Sequence, residues 1–515
     1  MSSTPLLVGL DVGTTTVKAI VFDPTGKTIA QASIPTPTHY PRPGWAYYEP
    51  EELWQSVVQV LRQVISRLEN PNAIASVAVA SIGETAVPLD AHGKPVHSAI
   101  AWFDTRTEPQ ARWLDQTIGR DRLFAVTGLA LQPIFGLCKL LWLRQNEPEM
   151  FARTALWLNT ADYIAYRLSG VAATDTSLAS RTLALDIRRL QWAEELLLQL
   201  EIPPTIFAPL CTSGRDLGPV TPEAAQTTGL PVSVRVGVGG HDHVCGALAL
   251  GVTEPGTVLD SMGTAEAIFM PMAAPSSDPE MGYTGYAQGV HVDGAHYYGI
   301  GGLFTSGACI EWFRRTIAGG VDYATLIAEA EAISPGSLGL CFMPHLRLAN
   351  PPNLDPKSRG AFVGLNADAG RGALFRALLE GLAMEIRNAL EPLLAYSGTP
   401  PCKVYATGGG TRNQLLMQIK ASVLNQILHV VSVQDATALG AALLGGLAAR
   451  VYADVPSALA ALRFTETPVE PLPAQVEFYD KLFRQVYQQM YATLRPLNHA
   501  LDALKLDAGY SPDAC

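Results

Sequence analysis

Residues 6–23 constrain the fold of this chain more than any other stretch. Apolar residues lead into the polar run 11–16 (DVGTTT), and a second apolar run follows it. This alternation predicts two β-strands joined by a tight turn. A Walker-type phosphate loop is excluded, because its glycine and lysine spacing is absent and a strand follows where that loop requires a helix.

The predicted turn suits a phosphate. Gly13 allows the backbone to fold back sharply, so that N–H groups and the hydroxyls of Thr14 and Thr15 point to one place. Asp11 adds a carboxylate that could hold a phosphate-bound Mg²⁺, directly or through water. An ordinary β-hairpin with a polar turn is the alternative interpretation.

Length and charge limit the class of protein. A chain of 515 residues with 48% hydrophobic and 16% charged residues predicts two or three α/β domains with buried cores. The net charge of −11 argues against nucleic acid as a partner. The seven cysteines form no CxxC pair, and neither a signal peptide nor a membrane-spanning run is present, so we expect a cytoplasmic protein without a membrane partner.

A second hairpin signal lies about 250 residues after the first. Residues 256–269 (GTVLDSMGTAEAIF) repeat the pattern of an apolar strand, a Gly-Thr turn and another apolar strand. The repeat indicates a duplicated domain whose two phosphate turns face one cleft. We therefore predict an N-terminal domain at 1–250, a C-terminal domain at 251–465, and a C-terminal helix and tail at 466–515.

The other predicted elements place the candidate motifs at the ends of strands. Residues 107–200 have a largely helical pattern, and the stretch after residue 464 is rich in proline and resembles a linker. Further helices are predicted at 50–68, 370–395 and 414–424, and strands at 74–79, 97–102, 232–238, 403–406 and 427–431.

Two strand ends carry further candidate chemistry. Residues 239–243 (GGHDH) place Asp242 after a glycine-terminated strand, where a carboxylate could accept a proton from a substrate hydroxyl. A helix N-cap role for Asp242 and a zinc site with its neighbouring histidines are the alternatives. Residues 407–413 (TGGGTRN) let a ligand lie against a helix N-terminus, or simply make a tight turn.

Taken in order, these segments resemble the FGGY family of carbohydrate kinases, within the actin/hexokinase/Hsp70-like superfamily, from about residue 7 to about 450. The resemblance is closest to the xylulose-kinase-like members. The matching segments are 11–18 (DVGTTTVK), 99–106 (AIAWFDTR), 139–148 (KLLWLRQNEP), 239–242 (GGHD), 261–264 (SMGT), 307–312 (GACIEW), 407–413 (TGGGTRN) and 437–442 (TALGAA).

The resemblance implies an α/β fold of two ribonuclease-H-like (actin-like ATPase) domains that close over Mg-ATP and a small sugar or polyol. It implies Asp242 as the catalytic base and Asp11 as the Mg²⁺ site, and it leaves a homodimer open. The ATP residues that it implies are Gly13, Thr14, Thr15, Lys18, Gly263, Thr264, Gly307, Glu311, Gly409, Gly410 and Asn413. The substrate residues are Gly83, Glu84, Trp102, Asp104, Asp242 and His243.

Substrate choice depends on positions that depart from the family pattern. Xylulose kinases usually carry Met-His and glycerol kinases Arg-Glu where this chain has Gly83 and Glu84. The tyrosine of glycerol kinases is replaced by Ile134. These losses count against glycerol, and the small Gly83 predicts room for a larger substrate, such as the ketopentose xylulose. Core packing of Trp102 and a surface ion pair between Asp104 and Arg106 are the alternatives for those two residues.

Two other classes of function stay open at this point. An actin-like or chaperone-like ATPase needs no substrate carboxylate beside its nucleotide, whereas a sugar kinase needs both Asp242 and Glu84. A catalytically silent sugar or nucleotide binder would keep the fold without the chemistry. Another polyol or ketose could also replace xylulose as the substrate.

Overall fold

Two mixed β-sheets form the frame of the protein. The computed structural model describes residues 4–433 and 435–507, with the backbone alone for 505–507. No helix in this described part of the chain is long and apolar enough to cross a membrane.

The first half of the chain holds fifteen strands and ten α-helices in its described residues. The strands are β1 (Leu6–Val12), β2 (Thr16–Phe22), β3 (Thr28–Pro35), β4 (His39–Arg42), β5 (Trp45–Tyr48), β6 (Ile74–Ser81), β7 (Ala86–Leu89), β8 (Ala99–Ile100), β9 (Leu156–Asn159), β10 (Thr174–Asp175), β11 (Leu185–Asp186), β12 (Gln191–Trp192), β13 (Leu210–Cys211), β14 (Asp216–Pro219) and β15 (Arg235–His241). The helices are α1 (Pro50–Ile65), α2 (Glu108–Thr117), α3 (Arg120–Thr127), α4 (Gly136–Asn146), α5 (Pro148–Arg153), α6 (Thr160–Ser169), α7 (Thr176–Ala179), α8 (Glu194–Gln199), α9 (Pro222–Thr228) and α10 (Asp242–Ala249).

The second half of the chain also alternates strands and helices. Its strands are β16 (Thr257–Met262), β17 (Glu266–Met272), β18 (Ala287–Val290), β19 (Tyr297–Leu303), β20 (Cys341–Met343), β21 (Ala361–Val363), β22 (Lys403–Gly408), β23 (Leu428–Val431) and β24 (Glu466–Val469). Its helices are α11 (Glu280–Tyr283), α12 (Gly307–Trp312), α13 (Tyr323–Glu331), α14 (Arg371–Ser397), α15 (Gln414–Leu424), α16 (Ala436–Ala448), α17 (Val455–Ala461), α18 (Pro473–Leu482) and α19 (Gln488–Asp507).

Both large sheets repeat one strand pattern. In the first sheet, β1, β2 and β3 form an antiparallel meander, and β6 and β15 add in parallel beside β1. In the second sheet, β16, β17 and β19 form the meander, and β22 and β23 add in parallel beside β16. This repetition agrees with the predicted pair of similar α/β domains.

Helices cover both faces of the first sheet. On one face, α1 packs through a stripe of apolar residues that includes Leu53, Val57, Leu61 and Val64, which recur at helical spacing. The other face contacts α16, which comes from the second half of the chain. The approach is close, because a Cβ atom at Gly9 would lie 1.8 Å from the carbonyl oxygen of Ala438. The two halves therefore share one of the core clusters, beside the separate clusters of each sheet.

Most predicted elements are confirmed, and a few are not. The hairpins at 6–23 and 256–269 form as predicted, whereas the strand predicted at 97–102 shrinks to Ala99–Ile100. The linker interpretation is wrong for Glu466–Val469, which pairs with β23 at the edge of the second sheet. The part of the predicted tail from residue 508 onward lies outside the described residues.

We propose that the boundary between the N-terminal and C-terminal domains lies between Ala249, where α10 ends, and Thr257, where β16 begins. This agrees with the boundary predicted at residue 250. The buried side chains of Tyr479 and Phe483 belong to the core beneath the second sheet. We therefore propose that the described part of 466–515 belongs to the C-terminal domain.

Candidate active site

Three parallel strands of the first sheet end at the same edge. Val12 pairs with Ser81, and Ser81 pairs with His241, so the strands β1, β6 and β15 finish side by side. The residues that follow are the turn at 13–15, the pair Gly83-Glu84 and the start of α10 at Asp242. Polar side chains that lie far apart in sequence thus meet at one sheet edge.

A small cavity of about 250 Å³ lies at this edge. Both domains contribute to it, because Tyr298 and Ile300 come from β19 of the second sheet. Of the predicted substrate residues, Gly83, Glu84, Trp102, Asp242 and His243 line the cavity. The other lining residues are Thr14, Ile82, Ile134, Arg181, His241, Tyr298 and Ile300.

Glu84 is held by two cations. Nε and Nη2 of Arg181 lie 2.6 and 2.5 Å from Oε1 of Glu84, and Nζ of Lys139 donates a hydrogen bond to the backbone oxygen of Glu84. Burial lowers the pKa of Lys139 to about 7, although Glu84 opposes the shift. Among the described residues, all contacts of the Glu84 carboxylate go to Oε1, which leaves Oε2 available to a ligand.

The space beside Gly83 is filled, which corrects the prediction of extra room. A Cβ atom at Gly83 would lie 3.0 Å from Cδ2 and Nε2 of His241 and 3.2 Å from Cγ of Arg181. Ile134 does line the cavity, as the sequence comparison with glycerol kinases suggested. However, Arg181 and Tyr298 bring a guanidinium and a phenol to the same cavity, so the argument against glycerol loses its basis.

Asp242 is the first residue of α10, and its side chain keeps one oxygen free of described partners. The backbone N–H of His243 donates to Oδ1 at 2.6 Å, and Nε2 of His241 lies 3.3 Å from the same oxygen. Burial lowers the pKa of His241 to about 3, so its imidazole is neutral at physiological pH. Oδ2 can therefore accept a proton from a bound hydroxyl.

The two neighbouring candidates, Trp102 and Asp104, behave differently. Trp102 is 37% exposed, and its Nε1 donates to Oγ1 of Thr14 at 2.9 Å, so it is no core residue. Asp104 is 1% exposed and does not line the cavity. Its two oxygens accept hydrogen bonds from Nε and Nη2 of Arg106 and from the backbone N–H of Ala46. The ion pair expected at the surface is buried and structural.

Asp11 fits a site for a divalent cation. Burial, and then the nearby charge of Asp242, raises the pKa of Asp11 to about 7, and Asp435 contributes in the same direction. A cation would relieve this crowding of carboxylates. In the described ranges, no group of three or more His, Cys, Asp or Glu side chains could hold a metal alone. Mg²⁺ keeps several waters and binds phosphate oxygens as well, so it takes few ligands from a protein.

The first hairpin turn is well ordered by its own hydrogen bonds. The N–H of Gly13 donates to the oxygen of Thr16 at 3.0 Å, and Oγ1 of Thr36 donates to the oxygen of Gly13 at 2.8 Å. Thr14 faces the small cavity, and Thr15 is exposed. Lys18, predicted to bind phosphate, forms an ion pair with Asp435 of the second domain.

A second cavity of about 980 Å³ lies at the corresponding edge of the second sheet. Met262 pairs with Gly408, so β16 and β22 end side by side above it. Seven predicted ATP residues line this cavity: Gly263, Thr264, Gly307, Glu311, Gly409, Gly410 and Asn413. Its other walls are Met262, Ala308, Ile310, Trp312, Arg315, Thr316, Tyr323, Ile327 and Arg412.

Close backbone packing shapes this larger cavity. The N–H groups of Gly307 and Ala308 donate to the oxygens of Gly263 and Thr264, and a Cβ atom at Gly307 would lie 2.5 Å from the Gly263 oxygen. A Cβ atom at Gly409, in contrast, would meet no atom within 4 Å. The glycine-rich turn therefore leaves open space in which a nucleotide could lie against the backbone.

Two of the lining side chains also have structural partners. Glu311 accepts hydrogen bonds from Arg314 at 2.8 and 2.9 Å and from the hydroxyl of Tyr323 at 2.5 Å. Asn413 caps α15 by accepting from the N–H of Leu416 at 3.1 Å. These contacts fix the orientation of both side chains.

A buried charged cluster supports the second hairpin and was not foreseen from the sequence. Nζ of Lys420 contacts Asp260 at 2.6 Å and also Glu266, and the hydroxyl of Ser306 donates to Glu266 at 2.5 Å. Burial and the neighbouring Asp260 raise the pKa of Glu266 to about 8. The cluster links the turn at Gly263 to the start of α12.

Arg181, Lys139 and Tyr298 are the main site residues that sequence reasoning missed. Neither Arg181 nor Tyr298 belongs to a motif with a recognisable spacing, and Glu84 and Arg181 are separated by 97 positions. The helical segment that holds Lys139 was noted only as a family signature. A buried lysine within an otherwise apolar helical run was the one signal that could have drawn attention to it.

Comparison with known proteins agrees with this geometry. Residues 6–249 match the N-terminal domain, and residues 259–449 the C-terminal domain, of the FGGY family of carbohydrate kinases. The chain is 29% identical to a xylulose kinase from Bacillus subtilis (strain 168), over 97% of this chain and 99% of the relative. It is 32% identical to a glycerol kinase from Thermococcus gammatolerans, over 86% and 89%. The crystal structure of xylulose kinase from Rhodospirillum rubrum superposes with a TM-score of 0.88 at 30% identity, covering 96% of this chain and 100% of that one.

Proposed function

This chain belongs to the FGGY family of carbohydrate kinases, and we propose that it transfers a phosphoryl group from ATP to a hydroxyl of a neutral ketose or polyol, with a ketopentose such as xylulose as the first candidate. As a family member it is an ATP-dependent phosphotransferase, which sets aside the ATPase and silent-binder alternatives. The observation that carries the proposal is that Glu84 and Asp242 line one small cavity, each with a carboxylate oxygen that no described residue contacts.

The charges around the small cavity favour a neutral substrate. Arg181 is the one lysine or arginine among the described lining residues, and it is already paired with Glu84. A substrate carboxylate would therefore face Glu84 and Asp242 without a free cation, and desolvated like charges repel strongly. Sugar and polyol hydroxyls, in contrast, can donate to both carboxylates.

Similarity over the full length supports a ketopentose. The xylulose kinase from B. subtilis aligns over 97% of this chain, and the glycerol kinase from T. gammatolerans over 86%. Glycerol is the second candidate, because a guanidinium and a phenol from Arg181 and Tyr298 line the same cavity as Glu84. Xylulose and glycerol are both small enough for a cavity of this size.

Asp242 would act on the attacking hydroxyl. Its free Oδ2 would accept the hydroxyl proton as the hydroxyl oxygen bonds to the terminal phosphorus and ADP departs. Glu84 would accept a hydrogen bond from another hydroxyl of the substrate, and the indole of Trp102 would cover the sugar beside Thr14. These contacts would align the hydroxyl, and alignment is most of what phosphoryl transfer requires.

The nucleotide would lie in the larger cavity. Its base would pack against apolar walls such as Ile310 and Ile327, and the backbone at Gly409 and Gly410 would approach the ribose and phosphates. The turns at Gly13–Thr15 and Gly263–Thr264 would hold the terminal phosphates from opposite domains. Asp11 would hold Mg²⁺, which neutralises charge on the phosphates when bound.

A substrate panel tests the proposal. The purified protein is assayed for ADP formation with xylulose, other ketopentoses, pentitols, glycerol and an aldonic acid, each at the same concentration. We expect a ketopentose to give the highest kcat/KM and the aldonic acid to give none above background. Efficient turnover of the aldonic acid, or ATP hydrolysis independent of any sugar, would contradict the proposal.

A further inference from the structure

Arg181 occupies space that a side chain at position 83 would otherwise fill. It follows the short helix α7, and its Cγ lies 3.2 Å from the place of a Cβ atom on Gly83. The imidazole of His241 closes the same space from another strand end, at 3.0 Å. The absence of a side chain at Gly83 and the presence of Arg181 are thus two parts of one arrangement.

The guanidinium binds Glu84 through two of its nitrogens. The two side chains are only 10% and 8% exposed, and both Nε and Nη2 of Arg181 reach the same carboxylate oxygen. The guanidinium also lies 5.3 Å from the ring centre of Phe135, which orients it further. Buried charge-assisted contacts of this kind are strong, because an unpaired partner would lose its solvation without compensation.

The backbone of Glu84 needs such support. Its φ of 56° is left-handed, a conformation that is strained for a residue with a side chain. Lys139 fixes the carbonyl oxygen and Arg181 fixes Oε1, so that the strained residue is held from both ends. Strain of this type persists only where the surroundings impose it.

We propose that Arg181 is the positioning residue that sets sugar recognition, because it replaces in space the side chain that Gly83 lacks and holds Glu84 with Oε2 free for a substrate hydroxyl. This inference rests on the proposed function and deepens it. It assigns the recognition of one hydroxyl to a pair of residues, Gly83 and Arg181, rather than to the strand-end motif alone.

The test compares Arg181→Met with a matched control. Methionine keeps the aliphatic stem but removes the charged fork, and Arg189→Met makes the same change at an exposed side chain outside the cavity. We expect Arg181→Met to weaken sugar binding roughly 10- to 100-fold in calorimetry without nucleotide, with the KM for ATP unchanged. Arg189→Met should equal the wild type in both measurements.

A double-mutant cycle tests the pairing directly. Gly83→Arg alone should weaken sugar binding, because its Cβ atom would lie 3.0 Å from the His241 ring and 3.2 Å from Cγ of Arg181, so both neighbours would have to shift. In Gly83→Arg/Arg181→Ala the close contact with Arg181 is relieved, and the arginine at position 83 can supply the guanidinium that binds Glu84. We expect this double variant to bind sugar at least fivefold better than the product of the two single effects predicts.

The outcomes distinguish this inference from the proposed function. A wild-type protein that phosphorylates no neutral sugar or polyol overturns the proposed function before any variant is made. An active wild type together with an Arg181→Met protein of unchanged sugar affinity overturns the inference alone. If Arg181→Met does not fold, the sugar affinity of Arg181→Lys is measured in its place. Arg181→Lys should keep part of the wild-type sugar affinity. Full wild-type sugar affinity would refute the need for the planar guanidinium.

Discussion

The two cavities lie at equivalent edges of two sheets with the same strand order, yet they are built differently. The small cavity is lined by charged side chains that bind one another, such as Glu84 and Arg181. The large cavity is lined by glycine-rich turns and apolar side chains, and the space beside Gly409 is open. One domain edge is thus suited to a small polar ligand held by side chains, whereas the other has room for a large ligand lying against the backbone. Substitutions should therefore separate sugar effects from nucleotide effects.

The largest separation is expected at Asp242. Asp242→Asn keeps the shape and one acceptor but removes the base, so kcat should fall roughly 10²- to 10⁴-fold while the KM for ATP changes little. Steady-state kinetics and nucleotide titration measure the two effects. Asp278→Asn, at an exposed position, serves as the control. A variant that loses ATP binding but keeps its single-turnover rate would make Asp242 structural and Glu84 the next candidate for the base.

The next largest effect is expected at Asp11, the predicted Mg²⁺ site. Asp11→Asn should lower kcat by roughly 10²-fold and raise the Mg²⁺ concentration needed for half-maximal rate. The pKa of Asp11 is raised to about 7 in the folded protein, so the ionised carboxylate disfavours folding increasingly as the pH rises from about 4 to 7. Without magnesium, the melting temperature of Asp11→Asn relative to the wild type should therefore be higher at pH 8 than at pH 5. Equal differences at both pH values would contradict the assigned burial of this charge.

A smaller, nucleotide-specific effect is expected at Gly409. The Cβ atom of a valine there would meet no protein atom within 4 Å, and the side chain would take up space in the large cavity, so the KM for ATP should rise roughly tenfold with the sugar affinity unchanged. Gly370→Val is the matched control, because Gly370 also faces open space and lines neither cavity. An unchanged KM for ATP in Gly409→Val would remove this turn from the nucleotide site.

The smallest effect concerns Lys18. If Lys18 leaves Asp435 to bind a phosphate, Lys18→Met should raise the KM for ATP a few-fold, and Asp435→Asn should leave it equal or lower it. The ion pair is partly exposed, with side chains 31% and 20% accessible, so neither change should alter the melting temperature much. Identical kinetics in Lys18→Met and the wild type would mean that the lysine only joins the two domains.

The glycine turns at the strand ends could be located from the sequence. The contacts between side chains that are distant in sequence could be predicted only in part. Gly263 and Gly409 belong to short motifs between a strand and a turn, so local spacing was enough to place them. Arg181 reaches Glu84 from 97 positions away, and no local pattern records that contact. The space argument at Gly83 failed for the same reason, since the size of one residue does not tell which neighbour fills the gap. The sequence also could not tell that the pair of Asp104 and Arg106, which the alternative interpretation placed at the surface, is buried.

The edge strand Glu466–Val469 shows a related difficulty. A proline-rich sequence after a domain usually indicates a linker, yet here four residues pair with β23 and complete the second sheet. An edge strand needs hydrogen bonds on one side only, which tolerates proline. The fold was predicted well because hairpins and strand-end glycines occur in both halves of the chain. A single edge strand such as Glu466–Val469 gives only a weak sequence pattern.

The contact between Gly9 and Ala438 has a consequence for how the gene could be divided. One face of the first sheet contacts α16, which is translated some 430 residues after β1, so the N-terminal half has no complete core until nearly the whole chain has been made. The newly made first half would leave the ribosome with an apolar sheet face uncovered and would depend on chaperones, or on rapid synthesis of the rest. Expressed alone, residues 1–250 should aggregate, and coexpression of both halves as separate chains should recover soluble protein.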